Sequence, residues 1–200
     1  MGKPAVAVLA AGLGTRFGGN KLEAMCAGKP LGRWTIEAVE TAGLAPGLIV
    51  TGPEGVSFAE GWTTVINPAP QAGLGSSLAL AAQAALASRR TLLVLLADMP
   101  LVAPDYLREL AASAPPAATR QPDGRAGVPA LLDRELLLES CKLGGDRGAG
   151  PLFRKARLLD APPGMLRDVD TAEDLTEVER MLTTLRHSRF RGEAKLSKGQ

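Results

Sequence analysis

The sequence predicts an α/β fold, a single domain built as a three-layer αβα sandwich around a mainly parallel sheet. Two observations lead to this prediction. Apolar runs of strand length alternate along the chain with segments of helical periodicity, without a linker or an internal repeat. The 200 residues are 46% hydrophobic and 22% charged, which suits one globular domain with a substantial core. Strands that alternate with helices favour a parallel sheet with helices on both faces.

The first half of the chain supplies most of the predicted elements. The run "AVAVLAA" (5–11) is apolar, short and followed by a glycine, which is typical of a strand buried on both faces. The segment "LGRWTIEAVETAG" (31–43) has apolar residues at helical spacing and ends at a glycine, which predicts a helix. Two more strands are predicted at 48–52 and 63–67, and an alanine-rich helix at 76–88.

The second half begins with the most hydrophobic strand. We expect "TLLVLLADMP" (91–100) near the centre of the sheet because it is the most apolar run. A helix is predicted from Pro104 to about Ser113, after which the pattern loosens through residues 114–127. The last predicted helix covers residues 172–185. The resulting sheet is Rossmann-like, and ligands of such sheets bind beyond the carboxyl ends of the strands.

Charge and cysteine content limit the classes of protein that fit. The net charge of +2 comes partly from basic residues near the C-terminus, so we expect a domain at 1–186 and a basic, flexible tail at 187–200. The nearly neutral body argues against a nucleic-acid partner. No apolar run approaches the roughly 20 residues of a membrane span. Cys26 and Cys141 match neither a disulfide framework nor a CxxC motif, which favours the cytoplasm.

The stretch "VLAAGLGTRFGGNK" (8–21) predicts an anion site at the end of the first strand. Glycines allow backbone N–H groups to approach an anion closely, and a helix directly after the loop would add its positive N-terminal dipole. The same glycines also satisfy a GxGxxxG dinucleotide pattern, which is weak evidence alone. Arg16 and Lys21 favour a triphosphate, because two cations would neutralise charge that develops during phosphoryl transfer.

A carboxylate ends the most apolar strand. Asp98 directly follows the apolar run, so it should emerge at the same sheet edge as the glycine loop. Capping of a turn before Pro100 would be a purely structural role. The more specific interpretation is that Asp98 binds Mg²⁺, since Mg²⁺ is usually held by one or two carboxylates together with phosphates and water.

The segment "DVDTAEDL" (168–175) combines a helix cap with two unexplained carboxylates. Thr171 and Asp174 form a Thr-x-x-Asp capping signature for the last helix. Capping does not account for Asp168 and Asp170, which alternate along the extended segment before that helix. One of the two is expected to face the site.

Six segments occur together in the order found in one family. The chain resembles the molybdenum cofactor nucleotidyltransferases, most closely the molybdopterin cytidylyltransferase branch. That family lies within the superfamily of sugar-phosphate and isoprenoid nucleotidyltransferases. The resemblance spans residues 5 to about 180. The segments are "LAAGLGTRFGGNK" (9–21), "GKPL" (28–31), "GLGSSL" (73–78), "ADMPLV" (97–102), "GDRGAG" (145–150) and "DVDTAEDL" (168–175).

This resemblance implies a role for each matching residue. Arg16 would contact the phosphates of the nucleoside triphosphate, and Lys21 would neutralise the α-phosphate under attack. Asp98 and Asp170 would be the Mg²⁺ ligands, with Asp168 the less favoured carboxylate. The resemblance implies Asp146 and Arg147 as acceptor-binding residues. The implied nucleotide-binding residues are Leu9, Ala10, Ala11, Gly12, Gly14, Thr15, Arg16, Lys21, Gly75 and Ser77.

Three positions bear on affinity and on the choice of base. Thr15 stands where similar proteins often carry Arg or Lys, and Glu23 stands where they carry an apolar residue, which predicts somewhat weaker triphosphate binding. Ala11 gives "LAAG" where guanylyl-transferring relatives tend to show "LAGG". The resemblance therefore favours CTP over GTP.

The function that the resemblance implies is Mg²⁺-dependent transfer of a nucleoside monophosphate, favoured as CMP, to a phosphorylated acceptor such as molybdopterin, with release of pyrophosphate. The resemblance also implies a molybdoenzyme or its chaperone as a partner. A GTP-using guanylyltransferase and a sugar-phosphate nucleotidyltransferase are the alternatives. An NADP-dependent oxidoreductase is less favoured, because its ribose-binding carboxylate would have to be Glu54, which follows Gly52 and Pro53. A non-catalytic cofactor chaperone would not need both metal carboxylates.

Overall fold

The computed structural model describes residues 2–143 and 150–196. Within these ranges the strands are β1 (Ala5–Ala10), β2 (Met25–Cys26), β3 (Lys29–Pro30), β4 (Leu48–Thr51), β5 (Thr63–Ile66), β6 (Leu92–Leu96), β7 (Ala117–Arg120), β8 (Ala126–Leu132) and β9 (Arg157–Asp160). The helices are α1 (Leu31–Thr41), α2 (Leu74–Ala87), α3 (Pro104–Ala112), α4 (Arg134–Ser140) and α5 (Ala172–Leu196). Short 3-10 turns cover Lys21–Glu23, Pro70–Ala72 and Gly150–Lys155. None of the described helices is long and apolar enough to cross a membrane.

Seven strands form one sheet in the order β5-β4-β1-β6-β8-β7-β9. β1, β4, β5 and β6 run parallel to one another, β8 runs antiparallel to both of its neighbours, and β9 runs parallel to β7. β6 is the fourth strand of seven, which confirms the central position predicted for the most apolar run. The mainly parallel α/β sheet is likewise confirmed.

Helices cover both faces of this sheet, as the three-layer prediction requires. Successive residues of β6 face opposite sides, because side chains alternate along a strand. Leu93 and Leu95 enter the core under α1, α3 and α5. Leu92 and Val94 enter the second core, under α2 and α4. The side chains of these four residues are fully buried, so β6 is shielded from water on both faces.

The structure corrects the sequence prediction at two places and extends the last helix to Leu196. Residues 114–127, predicted without a strand, contain β7 and the start of β8, joined by a tight turn in which Gln121 N–H donates to the Arg125 carbonyl. β7 is alanine-rich, so its pairing with β8 rather than a β-branched composition defines it. The glycine loop leads into the 3-10 turn and the β2–β3 hairpin, and not into a helix. The boundary predicted at 186 lies inside α5.

The helix after the glycine loop is absent for a local reason. Gly18 and Gly19 have positive φ angles of 89° and 139°, which a right-handed helix cannot include. α1 therefore begins only at Leu31, after the hairpin. Because no helix directly follows the loop, no helix dipole adds positive potential there. The positive charge beside the loop comes from side chains.

We expect Gly47→Ala to destabilise the sheet. Gly47 precedes β4, and a Cβ atom at this position would overlap the carbonyl oxygen of Val6 on β1. Backbone atoms of paired strands cannot move apart without breaking the ladder, so overpacking should lower the free energy of unfolding by about 3 kcal/mol. Urea denaturation measures the change. Gly150→Ala is the control, because no atom of the described residues, its chain neighbours aside, lies within 4 Å of its Cβ position. Equal midpoints for the two variants would contradict this prediction.

Candidate functional site

Three chain segments meet at the carboxyl edge of the sheet. The glycine loop follows β1, Asp98 follows β6, and residues 168–170 precede α5. Val169 N–H donates to the carbonyl oxygen of Asp98 at 3.1 Å, so the C-terminal segment crosses directly over the end of β6. This bond joins two carboxylate-bearing segments that are far apart in sequence.

Lys21 lies at the centre of this arrangement. Its Nζ atom donates to Asp98 Oδ2 at 2.8 Å, to the carbonyl oxygen of Val169 at 2.8 Å and to Asp170 Oδ1 at 3.1 Å. An ammonium group has three protons, so all of its donors are used. The residue is 7% exposed, although lysine is seldom buried without partners. One cation therefore holds the two carboxylates on either side of it.

The ionisation of Lys21 follows from these contacts. Burial lowers the pKa of its ammonium group, but the charge of Asp98 and the hydrogen bonds to Asp98 and Asp170 outweigh burial, and the net pKa is raised. Lys21 is therefore a permanent cation at physiological pH. The site contains a fixed positive charge between two negative ones.

Arg16 approaches one of these carboxylates, Asp170, from the solvent side. Its guanidinium group donates to Asp170 Oδ2 at 2.9 Å, while its side chain remains 78% exposed. The loop that carries it is closed by hydrogen bonds from the N–H groups of Phe17 and Gly19 to the Gly14 carbonyl. Gly14 has a φ of 58°, and a Cβ atom there would lie 2.6 Å from the Gly19 carbonyl oxygen. Only glycine fits this turn.

The start of α5 holds Asp170 in position. Asp174 Oδ2 accepts hydrogen bonds from the N–H groups of Asp170 and Thr171 and from the Thr171 hydroxyl, which confirms the predicted cap. These hydrogen bonds lower the pKa of Asp174, and the bond from the Thr171 hydroxyl has the largest effect. The pKa of Asp168 is raised, first by loss of hydration and then by the charges of Asp98 and Asp170. Asp168 therefore lies near the site, but the contacts to Lys21 and Arg16 come from Asp170.

Two carboxylates at this edge fit a divalent cation. Asp98 Oδ1 is buried and has no hydrogen-bond partner within the described ranges, so it is free to accept a ligand. Carboxylate oxygens are the ligands that Mg²⁺ prefers, and one or two of them commonly suffice when phosphates and water complete the shell. Residues 2–143 and 150–196 contain no group of three or more His, Cys, Asp or Glu side chains arranged around a metal position. Asp98 and Asp170 are thus the candidate pair.

The second predicted nucleotide segment is held by Asn67. The Asn67 amide donates to the hydroxyl oxygens of Ser76 and Ser77 at 2.8 and 2.9 Å, and its Oδ1 accepts from Ala69 N–H. Ser77 is 4% exposed, so its hydroxyl faces the protein, and Gly75 is buried in the first turn of α2. Asn67 was missed at the sequence level, although it directly follows β5 as Asp98 follows β6.

The remaining predicted residues lie at different depths. Thr15 and Gly12 lie on the exposed surface of the glycine loop. Glu23, the departure from the family pattern, accepts hydrogen bonds from the Ser57 N–H and hydroxyl, so it ties the turn after Lys21 to the β4–β5 connection. Three predicted residues are buried around the end of β1, namely Leu9, Ala10 and Ala11. The two predicted acceptor residues, Asp146 and Arg147, lie outside the described residues.

Sequence comparisons place this chain among nucleotide-using proteins. A family described as "MobA-like NTP transferase domain" matches residues 6–161. The chain is 33% identical over 115 residues to the bifunctional protein GlmU of Geobacter metallireducens, across 54% of this chain and 24% of that protein. It is 34% identical over 115 residues to GlmU of Pelobacter propionicus, across 54% of this chain and 25% of that protein. The chain thus spans about a quarter of the length of these curated relatives.

Solved structures show the same fold. A nucleotidyl transferase from Methanothermobacter thermautotroptrophicus aligns with a TM-score of 0.77 and 23% identity, covering 92% of this chain and 100% of that one. Rv0371C of Mycobacterium tuberculosis, solved in complex with manganese, aligns with a TM-score of 0.67 and 23% identity, covering 90% and 99%. The family match covers most of the chain and includes the glycine loop and Asp98. The chain belongs to the MobA-like NTP transferase domain family.

Proposed function

We propose that the protein is a nucleotidyltransferase that moves a nucleoside monophosphate from its triphosphate to a phosphorylated acceptor and releases pyrophosphate. One observation carries the proposal: Lys21 and Arg16 of the glycine loop meet Asp98 and Asp170 at the carboxyl edge of the sheet. Such an edge is where parallel α/β sheets bind their ligands. Two cations beside two carboxylates suit a polyphosphate together with a divalent cation.

In this reaction these residues mainly position the two phosphate-bearing substrates and neutralise their negative charge. An oxygen of the acceptor phosphate forms a bond to the α-phosphorus, and the bond from that phosphorus to the oxygen bridging to the β-phosphate breaks. An acceptor phosphate is already anionic, so no strong general base is needed. Lys21 must exchange at least one of its three contacts for a phosphate oxygen, because all three of its protons are engaged. Arg16, being exposed, reaches the outer phosphates without such an exchange.

Asp98 and Asp170 would hold Mg²⁺. Bound there, Mg²⁺ would neutralise charge on the phosphate oxygens and on the departing pyrophosphate. The orphaned Asp98 Oδ1 supports this assignment, because a buried carboxylate oxygen without a partner is costly unless a ligand satisfies it.

We propose CTP as the nucleotide and molybdopterin as the acceptor. Ala11 supports CTP over GTP through the family resemblance, and residues 145–150 support the acceptor assignment in the same way. A molybdoenzyme or its chaperone would then receive the product. A sugar phosphate is the alternative acceptor, favoured by the 33% identity to GlmU.

A thermal-shift panel tests the nucleotide. We expect CTP with Mg²⁺ to raise the melting temperature more than GTP, UTP or ATP with Mg²⁺, and NADP to have no effect. A ligand that binds the folded state raises its stability by RT ln(1 + [L]/Kd), about 2.7 kcal/mol at 100 Kd.

Each nucleotide is compared with and without Mg²⁺, and inorganic phosphate with Mg²⁺ is the control for nonspecific anion binding. A shift with NADP but with no triphosphate would overturn the transferase proposal. A larger shift with GTP than with CTP would leave the transferase proposal intact, but it would mean that the nucleotide is GTP and not CTP.

A further inference from the structure

We propose that Thr35 is a positioning residue for the Asp98 carboxylate. The inference rests on the proposed function, because it concerns how well Asp98 is presented to a divalent cation. Thr35 belongs to α1 and lies outside the six segments that carry the family resemblance. Its side chain is fully buried beneath the site.

The hydroxyl of Thr35 lies against the carbonyl oxygens of the two residues that precede and follow Asp98. Its Oγ1 atom is 3.2 Å from the carbonyl oxygen of Ala97 and 3.2 Å from that of Met99. The hydroxyl has one proton, so it donates to one of these oxygens at a time and remains in reach of the other. Ala97 and Met99 are themselves buried, with 1% and 3% exposure. Water therefore does not compete for these contacts.

Thr35 makes these contacts just beyond the end of β6, where the sheet hydrogen bonds stop. β6 ends at Leu96, and Ala97 N–H donates to the carbonyl oxygen of Leu9 as the last link to β1. Beyond that link, the Asp98 carbonyl accepts from Val169 N–H. Thr35 thus completes a support in which β1, α1 and the segment before α5 each hold one of three successive residues.

A purely helical role for the Thr35 hydroxyl does not fit the geometry. Threonine within a helix commonly bonds the carbonyl of the residue four positions earlier, as Thr176 does with Ala172. The Thr35 hydroxyl instead points out of α1 to residues more than sixty positions away. Its removal should let the Asp98 backbone relax, which weakens a metal site more than it changes the fold.

The matched control is Thr119. It is also fully buried, and its hydroxyl donates to the carbonyl oxygen of Pro129 at 2.6 Å and accepts from the Tyr106 hydroxyl at 2.8 Å. It lies on β7, which is separated from β6 by β8 in the sheet. Thr119→Val therefore removes the same hydroxyl, from the same kind of contact, without touching Asp98. Thr35→Ser keeps the hydroxyl but loses the methyl group, Thr35→Val keeps the branched shape without the hydroxyl, and Thr35→Cys places a weaker thiol donor at the hydroxyl position.

The experiment is titration of the full chain with Mn²⁺ alone, followed by electron paramagnetic resonance, together with melting curves. We expect Thr35→Val to raise the Mn²⁺ Kd about tenfold, the lower end of the range for outer-shell partners of metal ligands. Thr35→Ser should lie within about twofold of the parent. Thr119→Val should melt at a lower temperature with an unchanged Mn²⁺ Kd. If Thr35→Val does not fold, Thr35→Cys gives the comparison, with an intermediate loss.

The titration is run in the parent chain and in a Lys21→Met background, where no ammonium competes with Mn²⁺. An unchanged Mn²⁺ Kd in Thr35→Val, or in Thr35→Cys if only that variant folds, would overturn the positioning role and leave the proposed function standing. An equal loss of Mn²⁺ affinity in Thr119→Val would overturn it too, because general destabilisation would then explain the effect. Absence of Mn²⁺ binding in both the parent and Lys21→Met would overturn the metal site itself.

Discussion

Lys21→Met is expected to lower turnover by about 100-fold or more and, at the same time, to tighten the binding of Mn²⁺ in the absence of nucleotide. The loss of turnover follows from removing a donor aimed at charge that develops during transfer. The gain in metal affinity follows from the structure, in which the Lys21 ammonium lies between Asp98 and Asp170. A cation bound there opposes the entry of another, and methionine fills similar space without the charge.

Pyrophosphate release and Mn²⁺ titration measure the two effects on the same preparation. We expect Mn²⁺ to raise the melting temperature of Lys21→Met more than that of the parent, because Asp98 and Asp170 then both lack the Lys21 ammonium, and only Asp170 keeps a contact with Arg16. Arg120→Met is the matched control, since Arg120 pairs with Asp160 at 2.8 Å at the ends of β7 and β9, which β8 separates from β6 in the sheet. Undiminished turnover in a folded Lys21→Met protein would remove Lys21 from the reaction. Weaker Mn²⁺ binding would mean that the two carboxylates do not form the metal site.

Asp98→Asn and Asp170→Asn are each expected to lower pyrophosphate release by about 100-fold or more, with effects that do not add in the double variant. Asparagine preserves the shape but removes the charge that attracts Mg²⁺. Groups that act on one ion behave as a unit, so losing the second costs little once the first is gone. The shared contacts of both carboxylates with Lys21 are the structural basis for this coupling.

The two variants should differ in stability. The side chain of Asp98 is 20% exposed and that of Asp170 is 39% exposed, so the ion pair that Asp98→Asn removes is better shielded from water. We expect Asp98→Asn to lower the free energy of unfolding by about 1–3 kcal/mol, and Asp170→Asn to lower it less. Asp160→Asn, at an exposed ion pair, is the control for both activity and urea denaturation. Additive losses of activity in the double variant would argue against one shared ion.

Local features of the sequence were sufficient to predict part of this molecule. The central place of β6 follows from a run so apolar that it must be buried on both faces. The cap at the start of α5 follows from Thr171 and Asp174, whose spacing of three residues suffices for the bonds between them. In each case the deciding neighbours lie within a few positions along the chain.

Other features were not predicted because distant partners decide them. β7 has no strand-like composition and exists through its pairing with β8 and β9, so residues 114–127 gave no periodic pattern. Asn67 and Thr35 are ordinary residues in the sequence, and only the contacts that they make across the fold reveal what they hold.

In the candidate site too, some features depend on the local sequence and others on tertiary packing. The sequence by itself determined which side chains bear charge near the ends of β1 and β6, because strand ends and glycine turns are local properties. Only the tertiary structure decided that Lys21 bonds Asp98 and Asp170, which lie 77 and 149 residues further along the chain. The physical reason is that a buried ammonium needs several acceptors at once, and only packing of the C-terminal segment over β6 brings them to one place.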